Sequence, residues 1–367
     1  MIVQYDESIL SYVASIREYF GLSSSFAPNR ELSKRIAEEK PKRIYLILID
    51  AMGANLLKRK LSSEAFLNRN MLASTTTVFP PTTTAATTAI RNGKAPNENG
   101  WIGWSQYLRE VDDIVIPFLS ASYYSDTEYE GDIFQKYVPV TATDEELQKM
   151  GIPARTLNPA FDPDGCESVN EMCERLKKYS YEADYRYIYA YWDKYDSMMH
   201  RYGPSAKVCD LYLADINALL EELSEEVAEG TMLVITADHG QIDVHRSYDL
   251  YGSRFQKYFT RRPSVEPRTM SFCIREDLRE EFEREFKKEF EDDYLLLNYE
   301  QVKQLKIFGT NEDHPRMKEF VGDYLAIAKS DMSFRYSEYN LVEFKGEHAG
   351  MCDDELQIPV IVYMKKK

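Results

Sequence analysis

Six side chains able to ligate a cation flank short apolar runs, although they are spread across most of the chain. Asp50 directly follows RIYLILI, and Asp196 and His200 follow YIYAYW in the segment WDKYDSMMHRYGP. Asp238 and His239 follow MLVITA, and His348 lies in FKGEHAGM shortly before IPVIVY. Carboxylate oxygen and imidazole nitrogen together suit Zn²⁺, with Mn²⁺ as the alternative, and three such ligands per ion leave positions open for a substrate oxygen. Each piece alone is weak. An Asp after a strand is commonly a turn former or cap, a DxxxH spacing recurs by chance, and a solitary histidine is commonly a satisfied core residue. The adjacent pair Asp238–His239, ending an apolar run and followed by Gly240, is the most specific fragment. The joint occurrence carries the inference of a metal site.

Phosphoryl chemistry at such a site also asks for a nucleophile. The segment TTTVFPPTTTAATTAIRNGKAPNENGWIGW sets a Pro-Pro turn and three threonines, Thr82, Thr83 and Thr84, before Ala-rich helix-forming sequence. Threonine at a helix start is commonly only an N-cap. The same place, however, presents unpaired N–H groups and a positive dipole end to a phosphate. A hydroxyl there that also touches a metal is partly ionised and competent to attack phosphorus.

These side chains must be brought together by the fold. The runs Ile44 to Ile49, Tyr187 to Trp192, Met232 to Thr236 and Ile358 to Tyr363 are continuous rather than alternating, as in strands covered on both faces. Helical spacing over Cys209 to Val227 and Glu167 to Lys178 separates them. The alternation predicts an α/β fold, a mostly parallel central sheet flanked by helices, whose strand C-terminal ends share one edge where ligands collect. Two regions break the pattern. Residues 112–162 mix Tyr, Asp and Pro and read as a surface excursion or lid. Residues 253–337 hold the strand-like Thr269 to Ile274 and Asp323 to Ile327 and a charged helix, Glu276 to Glu291, taken as a solvated face. The expected organisation is a core of residues 1–252 and 338–367 with 253–337 inserted as a small cap.

Composition narrows the partners. Against 61 Asp and Glu stand 45 Lys and Arg, a formal charge of −16, which speaks against a dedicated nucleic-acid binder. Bound cations can still reverse the field locally for a phosphorylated substrate. Cys166, Cys173, Cys209, Cys273 and Cys352 show no CxxC spacing and read as free thiols of a reducing compartment. The N-terminus has no basic region ahead of an apolar core, and no apolar run nears the ~18 residues of a membrane span, so a cytoplasmic location is expected.

Together, LILIDAMG, VFPPTTTAATTAIRNGKAPNENGWIGW, DKYDSMMHRYGP, TADHGQ and KGEHAGM are similar to the alkaline phosphatase superfamily, in its type I phosphodiesterase / nucleotide pyrophosphatase branch. The resemblance implies an alkaline-phosphatase-like fold with two divalent metal ions, zinc first and manganese second. Asp196, His200 and His348 would hold one ion; Asp50, Asp238 and His239 would hold the other. Lining up on Gly93 places the nucleophile at Thr83, its hydroxyl reaching towards the second ion, with Thr82 and Thr84 one position to either side. The implied activity is hydrolysis of phosphodiesters or nucleotide pyrophosphates through a phosphothreonine, on a phosphorylated small molecule such as a nucleotide. Animal members place a phosphoryl-binding asparagine where this chain has Trp104, although Asn99 is near, and their second glycine after the last histidine is here Ala349. Trp101 and Trp104 could stack on a base or sugar, or pack beneath the cleft. His245 and His314 match no motif position. The same ligands would serve a phosphomonoesterase, phosphonate hydrolase or phosphomutase, and a non-catalytic nucleotide-binding member is the rival from another class. Metal content separates that last case. Absence of a basic phosphate clamp disfavours a monoesterase, and no C-x-P-x-R or S-x-P-x-R sequence of a sulfatase occurs.

Overall fold

The computed structural model describes residues 3–182, 184–337 and 343–366. Its main sheet has six strands, in the order Met71–Thr76, Gln357–Met364, Thr231–Thr236, Arg43–Ile49, Tyr187–Trp192, Ala154–Leu157. The four strands from Thr231–Thr236 to Ala154–Leu157 run parallel, while Gln357–Met364 is antiparallel to both neighbours. Every residue from Ile44 to Ile49 and from Thr231 to Thr236 is buried, which is why these strands are apolar without alternation. In register, Ile49 lies opposite Trp192 and Leu48 opposite Thr236, so the residues that follow all three strands emerge at one edge.

Helices cover both sides. Lys207–Glu226 buries Leu213, Ile216, Leu220 and Leu223 and packs against Val169–Glu182. Thr83–Asn92 buries Ala85, Ala86, Ala89 and Ile90 and stops at Gly93, whose φ of +71° closes the helix in the left-handed conformation. A Cβ at Gly93 would fall 2.6 Å from Arg17 Cδ, so any other residue there would also have to displace the Arg17 side chain.

The first irregular region contains strands Asp113–Ile116 and Ala121–Ser122, which form a three-stranded sheet with the preceding Gln106–Leu108, then helices Ile133–Tyr137 and Thr143–Lys149. The second contains a four-stranded antiparallel sheet in the order Phe259–Val265, Thr269–Ile274, Tyr324–Ala328, Tyr294–Asn298. Helix Arg279–Phe290 buries Phe282, Phe286 and Phe290, at i, i+4 and i+8, in an aromatic cluster with Phe255, Phe272 and Phe334. The charged stretch is therefore amphipathic, with its charged residues on the face opposite the phenylalanines.

A buried ion pair ties this sheet to the main one. Arg268 donates to Glu355 Oε1 at 2.7 Å and Oε2 at 2.9 Å, and to the carbonyls of Met332 and Ser330. Glu355 lies in the short helix Asp353–Leu356 that enters the strand Gln357–Met364. The five cysteines are unpaired, and among the described residues no helix is long and apolar enough to cross a membrane.

Candidate active site

The shared strand edge gathers the six candidate ligands. Asp50 ends Arg43–Ile49, and the chain turns away through Ala51 at φ +58°. Asp238 and His239 follow Thr231–Thr236, while Asp196 and His200 lie one turn apart on Lys194–Tyr202. His348 follows the two-residue strand Gly346–Glu347, which pairs with Ile242–Asp243 just beyond His239. Ala349 takes up φ +80°, a conformation that favours the glycine the sequence lacks there.

Two compact groups result. Asp50, Asp238 and His239 offer ligand atoms within 4.8 Å of one another, and so do Asp196, His239 and His348. His200 joins the second wall, its Nε2 3.1 Å from Asp196 Oδ2 and its ring 5.1 Å from that of His348. His239 thus stands between the groups, stacked at 3.8 Å on His348.

The three histidines share one device. His200 Nδ1 lies 2.7 Å from the Gly346 carbonyl, His239 Nδ1 3.0 Å from Gly240 and His348 Nδ1 3.0 Å from Pro81. A carbonyl oxygen only accepts, so Nδ1 carries a proton in each and Nε2 is the nitrogen left for a metal. Those Nε2 atoms face carboxylates: Asp50 at 3.4 Å and Asp238 at 3.7 Å from His239, and Asp196 at 3.9 Å from His348. Asp50 Oδ1 and Asp238 Oδ2 are buried without hydrogen-bond partners. Lone pairs aimed at orphaned carboxylate oxygens repel unless a cation lies between, so the donor set fits divalent metal.

The protonation tendencies agree. Burial, then the charges of Asp238 and Asp196, raises the Asp50 carboxyl well above its usual range, and burial likewise raises Asp238 against the pull of His239. Burial opposes ionisation of Asp196 too, but His200, His348 and His239 hold it below the usual range. Burial also disfavours charge on His200, yet Asp196 outweighs it and raises the ring to about 9. His348 is pushed far down by burial and by His239.

The three threonines part ways. Thr83 Oγ1 lies 3.4 Å from Asp50 Oδ2 and 3.3 Å from His239 Nε2, at the first helical position. Thr82 donates instead to Glu266, and Thr84 Oγ1 is buried with no partner. Thr82 provides no side-chain cap, so the first-turn N–H groups remain available.

The weaker candidates are engaged elsewhere. Asn99 accepts from the Trp101 N–H and donates to the Lys94 carbonyl. The Trp101 indole donates to the Val138 carbonyl and packs edge-on to Phe134, which is packing rather than a stacking face. Trp104 is half-buried, and its backbone N–H donates to Glu266 at 2.8 Å. His245 is exposed and His314 stacks on Phe320.

Three partners escaped sequence reasoning. Tyr191, one residue before the end of its strand, donates to Asp50; Gln241 donates to Asp196 Oδ1 at 2.7 Å; Glu266 receives Thr82 and Trp104. Gln241 sits inside TADHGQ and was findable. Glu266 comes from the inserted sheet and carries no local signal.

The model of the family described as type I phosphodiesterase / nucleotide pyrophosphatase matches residues 120–351. That span includes Asp196, His200, Asp238, His239 and His348, and leaves Asp50 and Thr83 outside. Murine ectonucleotide pyrophosphatase / phosphodiesterase 5 is similar in structure, with a TM-score of 0.66, 14% identity and 87% of each chain covered. An inactive threonine-to-alanine variant of that murine protein, in complex with AMP, gives 0.67 and 13% over 88% of each chain. Phosphonoacetate hydrolase from Sinorhizobium meliloti 1021, in complex with phosphonoacetate, gives 0.65 and 14% over 88% of this chain and 90% of that one. At such identities the likeness is one of fold. No curated protein matches the chain in sequence.

Proposed function

The chain belongs to the type I phosphodiesterase / nucleotide pyrophosphatase family and is a phosphoric ester hydrolase, and from that premise we propose that it is a metal-dependent phosphodiesterase or nucleotide pyrophosphatase acting through a phosphothreonine on Thr83. The observation that carries the reading is the position of the Thr83 hydroxyl, between Asp50 and His239 at an uncapped helix start, while its two neighbours point elsewhere. Asp50, Asp238 and His239 would hold one divalent ion, and Asp196, His200 and His348 the other; zinc suits these ligands best, with manganese second. Bound there, the cations would supply Lewis-acid neutralisation of oxygen charge at the reacting phosphate.

The chain's own part follows from its geometry. Thr83 releases its proton to solvent water and attacks phosphorus; the Oγ–P bond forms, the bond to the leaving oxygen breaks, and that oxygen takes a proton back from solvent. Water then attacks the phosphothreonine, the Oγ–P bond breaks, and Thr83 regains a proton. First-turn N–H groups of Thr83–Asn92 face the phosphoryl oxygens throughout. The substrate is a phosphorylated small molecule, a reading supported by AMP and phosphonoacetate in the complexes of the two structural neighbours. Among the described residues no Lys or Arg side chain bonds to the side chain of Thr83 or of the six ligand candidates, which favours a singly charged diester over a monoester.

Hydrolysis of bis-p-nitrophenyl phosphate and p-nitrophenyl phosphate is compared with zinc or manganese in wild type and Thr83→Ala. Diester preference, with kcat lowered about 10³-fold or more in the variant, is the expected result. Monoester preference would move the function to phosphatase chemistry. No turnover of either ester by protein with two metal equivalents bound would sink the general diesterase reading.

A further inference from the structure

Glu266 sits in the turn between two strands of the inserted sheet, Phe259–Val265 and Thr269–Ile274, and is only 7% exposed. The turn is built to aim it. Val265 adopts φ +82°, a left-handed conformation costly for a β-branched residue, and is clamped by bonds from Ser105 N to its carbonyl and from its N–H to the Ser105 carbonyl. Gly103 makes the approach possible, since a Cβ there would lie 2.6 Å from Val265 Cγ1. So placed, Glu266 Oε1 takes both the Thr82 hydroxyl and the Trp104 N–H, one residue from the nucleophile position.

Among the described residues no Lys or Arg pairs with this carboxylate. Through Thr82 it is joined to the residue next to Thr83, whose hydroxyl lies 3.4 Å from Asp50 Oδ2. A buried acid without a cationic partner weakens a fold; here its charge is held one residue from the hydroxyl proposed to attack phosphorus. We propose that Glu266 is a specificity-determining residue of this site, whose carboxylate beside the phosphoryl-binding helix start excludes dianionic phosphate monoesters and selects diesters. A diester presents one negative charge to this carboxylate, whereas a monoester brings two. Burial raises the Glu266 carboxyl to about 7 in spite of its two hydrogen bonds, so its charge is fully present in mildly alkaline solution.

The inference rests on the diesterase reading, and the experiment separates the two. Metal-loaded wild type, Glu266→Gln, Glu266→Ala and Glu266→Asp are assayed with both p-nitrophenyl esters at about pH 9, well above that carboxyl's pKa. Because both donors land on one oxygen, the glutamine amide oxygen can receive both, and the alanine variant is a second neutral form should glutamine not fold. The monoester-to-diester ratio of kcat/KM is expected to rise on the order of tenfold or more in the neutral variants and to stay near wild type in the aspartate variant. Binding of inorganic phosphate to the same proteins, read by calorimetry, should tighten by a similar factor in the neutral variants alone. Unchanged ratios and unchanged phosphate affinity overturn the role of Glu266, even where wild type proves a good diesterase. A wild type that turns over neither ester sinks the diesterase reading, and phosphate binding then still decides on Glu266.

Discussion

Thr84 shows how finely the site distinguishes three identical neighbours. Its hydroxyl is buried without a partner, whereas Thr82 has Glu266 and Thr83 has Asp50 and His239. Replacing an unsatisfied buried hydroxyl by an isosteric methyl removes a desolvation penalty, so Thr84→Val is expected to leave turnover in place and to be neutral or stabilising by up to about 1 kcal/mol. Urea denaturation and the diester assay check this; loss of turnover comparable to Thr83→Ala would put the nucleophile at Thr84. The histidines yield a second expectation. Without metal, His200 titrates at about 9, because Asp196 outweighs the burial that opposes its charge. A cation at Nε2 must displace that proton, so apparent zinc affinity should climb with pH until about 9 and then level. Competition titrations across that range test it, and a flat affinity would remove His200 from the ligand set. The Asp and His positions were legible because six of them recur beside apolar runs, a joint pattern that no single position would have carried. Tyr191 and Glu266 were not, since a tyrosine in a strand and a glutamate in a charged region look ordinary until the fold brings them to Asp50 and Thr82.

At the scale of elements, the most consequential join is Arg268 to Glu355, both fully buried. Each end has further partners: Arg268 donates to two carbonyls, and Glu355 accepts from the N–H groups of Gly350 and Cys352. The pair therefore fixes the inserted sheet and the turn after His348 against the strand Gln357–Met364. Arg268→Met strands a buried carboxylate and is expected to cost about 3–5 kcal/mol. Urea unfolding measures that loss, and a change below about 1 kcal/mol would show that the carboxylate finds water or another donor. Sequence pattern revealed the elements whose two faces are both covered, such as Arg43–Ile49, because burial alone makes them continuously apolar. It missed Met71–Thr76, a polar edge strand with mostly half-buried residues, and Ala154–Leu157, a short edge strand inside the first irregular region. Edge strands are stabilised by pairing with a neighbour more than by their own composition, so neither leaves a strong mark in sequence.

On the scale of the whole molecule, the site must draw an anion towards a protein of formal charge −16. In the second irregular region Thr269 to Ile274 and Asp323 to Ile327 were legible as strands, but their pairing was not, because Tyr324–Ala328 lies between Thr269–Ile274 and Tyr294–Asn298, far apart in sequence. Many acidic side chains, such as Glu31, Glu64, Glu145 and Glu280, are exposed, and their repulsion acts through solvent, where salt screens it. At about 0.01 M salt the screening length is about 30 Å, comparable to the molecule, and at about 0.15 M it is about 8 Å. Charge at the metal site is buried and close to the substrate, so it is screened much less. Raising salt across that range should therefore weaken the distant repulsion while leaving the local attraction in place. The expected outcome is a rise of about threefold in kcat/KM for an anionic diester, carried by KM, with kcat nearly constant. Initial rates at several sodium chloride concentrations, with metal saturating, make the measurement. A steady fall with salt would mean that the positive field of the site extends past the surface and dominates the approach of substrate.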